Sequence, residues 1–231
     1  MRKRRLLMLA AALCCLPLHA QNRITSQPAP AEQTAMAGEG QMKDGMMQML
    51  SHFATYIRNH YLEAQQKNSR GETYGCFRSN STWKANEDGV RTNADLSMIA
   101  AFLCKYGPGR TELPAGVTWQ ELETMARRSL IYAYSTHKAN RLATCEGGQC
   151  WGSTSANDHQ WESSLWAMSV AYSAFFQWDK LTTDQRKAIE CLLKAECSYE
   201  LERTIPTAFE GDTKAEENGW EACVLAATLG L

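Results

Sequence analysis

The chain has 231 residues, 44% of them hydrophobic and 21% charged, with a formal charge of −1 at pH 7. That composition excludes intrinsic disorder, collagen and a multi-span membrane protein, and the length suffices for one domain with a substantial core. A charge so close to zero removes bulk electrostatics as a route to nucleic acid, and no stretch rich in Lys and Arg exists beyond the first five residues.

Arg2, Lys3, Arg4 and Arg5 precede an apolar run from Leu6 to Leu18, and Leu18-His19-Ala20 forms a small-residue exit. This is the layout of a signal peptide over residues 1–20, cleaved after Ala20. About 13 apolar residues fall short of the roughly 20 that span a bilayer, so the expectation is a secreted or periplasmic protein with no membrane span. Losing the four basic residues takes the charge from −1 to −5, which argues further against a polyanionic partner. Cys14-Cys15 is preceded by Leu13, where lipidation calls for a small residue.

Residues 21–39, rich in Gln, Ala and Pro, read as a flexible linker, and the folded domain is expected over 40–231. Met46, Met49, Phe53, Tyr56, Ile57 and His60 recur at three- and four-residue spacings, which predicts an amphipathic helix from Met42 to about Gln66. A polar loop follows, broken by Tyr74, Phe77 and Trp83. Asp95 to Lys105 reads as a short apolar helix stopped by Gly107-Pro108-Gly109. Thr118, with Glu121 three residues on, forms the capping box of an amphipathic helix running to about His137.

His159 to Gln177 is apolar or small on nearly every side beyond its first turn, as a helix enclosed by others should be. Thr183 is the expected cap of the next amphipathic helix, to about Arg203, and Glu216 to Leu231 is again apolar all round after a polar start. Seven cysteines follow residue 20, an odd number, so at least one stays a thiol. A disulfide between Cys145 and Cys150 would close a glycine-containing loop. No Cys or His spacing typical of zinc appears, and no cofactor is expected.

Amphipathic and enclosed helices thus alternate three times. His159-Gln-Trp161-Glu162-Ser-Ser-Leu165 and Asn218-Gly-Trp220-Glu221-Ala-Cys-Val224 align without gaps at an offset of 59 residues, and Asn93-Ala-Asp95-Leu96-Ser97 is a weaker third copy. The repeating unit has the length of a helical hairpin. In every unit the polar cluster opens the enclosed helix, which marks the helix mouths as a solvated cleft, and orphan helix N–H groups there suit sugar hydroxyls or a carboxylate. Trp83 and Trp151, in loops before enclosed helices, are candidate sugar platforms at the cleft rim.

Arg91-Thr-Asn93-Ala-Asp95, Asn157-Asp-His159-Gln-Trp161-Glu162 and Glu216-Glu217-Asn218-Gly-Trp220-Glu221 carry a resemblance to the secreted (α/α) toroid carbohydrate-active proteins, the six-hairpin glycoside hydrolases and polysaccharide lyases. The resemblance implies an all-α fold with a polysaccharide or oligosaccharide as partner. It also implies catalytic groups at the inner-helix mouths, with Trp161 and Trp220 among the aromatic residues that stack on sugar. In a lyase of this kind Asn157 or Asn218 would hold a uronate carboxylate, His159 or a loop tyrosine would take the proton, and Arg91 would steady the acidic substrate. In a hydrolase two carboxylates among Asp95, Asp158, Glu162, Glu216 and Glu217 would flank the glycosidic bond. Asn93 joins Arg91 and Asp95 on the binding side.

Closed rings of this type need about five to seven hairpins and this chain supplies three. The expectation is therefore an incomplete toroid, completed by a missing C-terminal part or by a second chain. A non-catalytic glycan-binding or envelope scaffold protein is the alternative reading.

Overall fold

A computed structural model describes residues 30–77, 87–145, 148–153, 163–202 and 215–231. Compact units cover Met1–Met46 and Met47–Leu231. The described residues form an all-α fold with one added β-hairpin: α1 (Pro30–His60), β1 (Tyr61–Lys67), β2 (Thr73–Phe77), α2 (Glu87–Tyr106), α3 (Trp119–Ser135), α4 (Ser163–Gln177), α5 (Thr183–Glu202) and α6 (Ala215–Leu229). No helix among them is long and apolar enough to cross a membrane.

In the first unit the described chain is the upstream part of α1, which begins at Pro30, well before the expected Met42. Proline suits a first helical turn, where its missing N–H has no helical partner to lose.

In the second unit α1 stops at His60 instead of continuing to Gln66, because residues 61–67 pair antiparallel with β2. The turn explains the switch. Asn68 Oδ1 accepts the N–H groups of Arg70 and Glu72 at 3.0 and 2.9 Å, and Gly71 N–H donates to Asn68 O at 2.9 Å. An asparagine that binds its own downstream backbone favours a turn over a helix. Tyr74 and Phe77, expected in an irregular loop, lie on β2, where Cys76 and Phe77 are buried. Asn68 Nδ2 donates to Ser135 Oγ, while Glu72 Oε1 accepts from Tyr134 and from Gln185, so the hairpin is tied to α3 and α5.

The capping box of α3 forms as expected, with Glu121 N–H donating to Thr118 Oγ1 at 3.2 Å and Thr118 N–H to Glu121 Oε2 at 2.9 Å. The cap of α5 is Thr182 and not Thr183. Its hydroxyl accepts Gln185 N–H at 3.2 Å and Gln185 Oε1 accepts Thr182 N–H at 3.1 Å, which completes a capping box one residue earlier.

Helix directions follow from the cross-links. Ser169 Oγ donates to Asp95 Oδ1 at 2.7 Å and the hydroxyls of Ser97 and Ser173 meet at 2.7 Å, so residue numbers rise together along α2 and α4 and these helices are parallel. Ser97 also donates to Ala126 O on α3, and Gln177 donates to the same oxygen. Cys104, further along α2, meets Trp119 O at the start of α3, so α3 runs antiparallel to α2 and hence to α4. Arg186 reaches Trp178 O near the α4–α5 turn while Ser163 reaches Glu196 at the far end, which makes α4 and α5 a second antiparallel hairpin.

One core cluster gathers α1, α2 and α3 around Ile57, Leu103 and Leu122, and another gathers α3 to α6 around Leu130, Trp151, Trp166, Ile189 and Val224. The expectation that α4 is enclosed holds for Trp166, Val170 and Ala174 but not for Tyr172 and Phe175, which are 40% and 43% exposed.

Candidate functional site

Because α2 and α4 are parallel, their N-terminal halves lie at one end of the bundle, beside the C-terminal ends of α3 and α5. Helix α2 begins at Glu87 instead of Asp95, so Arg91, Asn93 and Asp95 are all helical. Asp95 faces α4 and accepts the Ser169 hydroxyl. Burial pushes its carboxyl above the usual aspartate range, and the Ser169 hydrogen bond and the nearby Arg91 guanidinium oppose that shift without cancelling it. Arg91 lies one turn earlier on α2 and is exposed.

Two expected binding residues belong to the framework. Asn93 is 1% exposed, accepts Phe77 N–H at 2.6 Å through Oδ1 and donates to Phe77 O at 3.3 Å through Nδ2. Its amide thus clasps the end of β2 and has no face turned to a ligand. Trp151 is fully buried, with its indole N–H on Ala133 O at 2.9 Å and its ring edge-on to His137 and Trp166. It is core, not cleft rim, because the backbone bridge between His137 and Trp151 folds the loop inward.

On α6, Asn218 and Trp220 are half-buried and Glu221 is buried. Glu217 lies in the first turn of that helix. Trp83, Asn157, His159, Trp161 and Glu162 lie outside the described residues, as does Asp158.

At the mouth of α4 the structure holds a network that sequence reasoning missed. Glu196 Oε1 accepts His137 Nε2–H at 2.8 Å and Ser153 N–H at 2.6 Å, and Oε2 accepts the Ser163 hydroxyl at 2.7 Å. All four residues are fully buried. Ala139 N–H donates to His137 Nδ1 at 3.1 Å, which leaves the ring proton on Nε2, facing the carboxylate. Ser153 and Ser163, on either side of 154–162, have hydroxyls 3.0 Å apart. One turn further along α5, Glu200 Oε1 accepts the Ser164 hydroxyl at 2.7 Å.

Gly152 is part of the same construction. Its φ is +95°, and a Cβ there would overlap the His137 imidazole and stand 2.9 Å from Glu196 Oε1. The signal for this network was present only as a serine pair opening an enclosed helix and a glutamate on the amphipathic helix after it. Nothing in the spacing linked either to His137.

This end of the bundle can therefore do two things. The Glu196 network rigidly fixes where Ser153 leaves and Ser163 enters, and Asp95 supplies a carboxyl group biased toward its protonated form. Among the described residues no group of three or more His, Cys, Asp or Glu side chains is placed to hold a metal ion. No family model, curated protein or solved structure matches this chain.

Proposed function

We propose that this chain is a secreted or periplasmic polysaccharide-cleaving protein, with helical hairpins that form part of an (α/α) ring and a site between the N-terminal halves of α2 and α4. The observation that carries the reading is Asp95, a carboxyl raised by burial and set between α2 and α4 near the Arg91 guanidinium. Both elimination and hydrolysis must put a proton on the departing glycosidic oxygen, and a carboxyl whose pKa is raised by burial is better suited to give one than an ordinary aspartate. Arg91 attracts an acidic sugar. For elimination Asn157 or Asn218 holds the uronate carboxylate and His159 removes the proton. For hydrolysis Glu162 or Glu217 supplies the second carboxylate. The basic and apolar leader supports export.

The test is incubation of the purified chain with a panel of acidic and neutral polysaccharides. Rising absorbance near 235 nm reports unsaturated uronates, and new reducing ends without it report hydrolysis. Asp95→Asn is expected to lower either rate by two orders of magnitude or more. Glycan binding with neither signal would refute cleavage and leave the binding module.

A further inference from the structure

From Met47 onward α1 carries its apolar residues on two adjoining stripes. Met47, Ala54 and Ile57 are buried in the core, whereas Met49, Phe53 and Tyr56 are 59%, 44% and 46% exposed. The exposed stripe is spaced four and three residues apart. In the sequence the same spacing runs back through Met46 and Met42 and on to His60. A four–three apolar repeat is the seam of a two-helix coiled coil, in which each side chain enters a hole formed by residues of a facing helix.

The stripe adjoins a groove. Leu50, Met98, Ile99, Phe102, Tyr172 and Phe176 line about 310 Å³ of open space, and the wall presents no polar atom. Ring contacts carry this surface on to Tyr106 and Phe175, both more than a third exposed. A sugar needs hydrogen-bond partners from its site, so this wall is unsuited to the glycan of the proposed function.

We propose that this face pairs with the same face of a second copy of the chain, α1 lying along α1 about a two-fold axis. Two arguments identify the occupant. First, the spacing asks for a helix with a matching repeat, and the positions flanking the seam from Met46 to His60 include no Asp, Glu, Lys or Arg: Leu50 and Ile57 on one side, His52 and Asn59 on the other. Nothing there repels an identical seam or selects a charged partner.

Second, the areas agree. Six large apolar side chains left 38–59% exposed open about 500 Å² on one copy, near the upper end for the largest patch on a monomer. Two such faces bury about 1,000 Å² together, the floor for a biological interface, which sets the expected affinity in the micromolar range. Methionines in the seam can adapt to the partner's groove, and Lys105, 4.8 Å over the Phe175 ring, lies at the rim. A two-fold axis makes the contact self-complementary and closes it at two copies.

Sedimentation velocity on the purified chain tests this. The expected result is a dimer at micromolar concentration that Met49→Glu with Phe53→Glu converts to monomer with an unchanged far-ultraviolet spectrum, while Gln48→Glu on the polar side stays dimeric. A wild-type chain that remains monomeric at 100 μM overturns the proposal, and so does a dimer that survives the double substitution. If the glutamates unfold the chain, Phe53→Ser should weaken association tenfold or more, and unchanged association would be equally decisive against it. None of these readouts depends on glycan cleavage.

Discussion

Replacing Glu196 by alanine or by glutamine should separate a hydrogen-bonding role from a packing one. Alanine leaves the His137 Nε2–H, the Ser153 N–H and the Ser163 hydroxyl without their acceptor in a region none of them shares with solvent. Each orphaned buried donor costs about 1–3 kcal/mol. The Ser163 proton can turn to Ser153 Oγ, 3.0 Å away, which leaves two donors orphaned and an expected total of about 3–5 kcal/mol.

Glutamine keeps the shape. Its carbonyl takes the place of Oε1 and still accepts from His137 and Ser153, while its amide faces Ser163, whose hydroxyl accepts from it and donates to Ser153. What is lost is the charge assistance of the bonds at Oε1, about 1–2 kcal/mol. A chain of this size loses roughly 2–4 °C in Tm per kcal/mol, so alanine should lower Tm by about 6–20 °C and glutamine by about 2–8 °C. Urea titration followed by circular dichroism gives the free energies independently. Equal losses in the two variants, or an alanine cost below about 1 kcal/mol, would refute the view that Glu196 serves as the shared acceptor.

Burial raises the Asp95 pKa, so the folded state must carry an unfavourable carboxylate once pH rises through the folded value, and no such cost exists below about pH 4, where both states are protonated. Asp95→Asn should therefore raise Tm at pH 7 by an amount that shrinks toward zero on acidification; a gain constant from pH 4 to 8 would contradict this. Thr182→Ala should cost about 1 kcal/mol in thermal unfolding, whereas Thr183→Ala should fall within about 0.5 kcal/mol of wild type, and the reverse order would restore the cap expected from sequence. Gly152→Ala should destabilise by at least about 2 kcal/mol, since it adds strain at φ +95° to an overlap with His137, and a smaller loss in the same melts would show that the loop can shift.

The parts of the fold legible in the sequence are those fixed by local chemistry. The three-residue reach of Thr118 to Glu121 satisfies two orphan N–H groups regardless of what lies nearby, and the apolar periodicity of α3 reports a buried face directly. Residues 61–66 form a strand where the spacing predicts helix because a strand is stabilised by its partner, and the Asn68 turn that returns the partner has no signature in a helical period. The α5 cap slipped by one residue because Thr182 and Thr183 are chemically equivalent, and only Gln185, three residues after the former, distinguishes them.

The site divides along the same line. Asp95 was legible as an acidic group near the start of an enclosed helix, but its raised pKa depends on α4 packing alongside it. Asn93 and Trp151 carry the residue types of a sugar site, yet each is consumed by a backbone partner far away or folded inward: Phe77 for one, Ala133 for the other. Composition at a helix mouth therefore nominates polar residues, and only the backbone groups left unpaired elsewhere decide which of them a ligand can reach. His137 and Glu196 show the converse, since neither belongs to the repeat and yet together they anchor Ser153 and Ser163 at the mouth of α4.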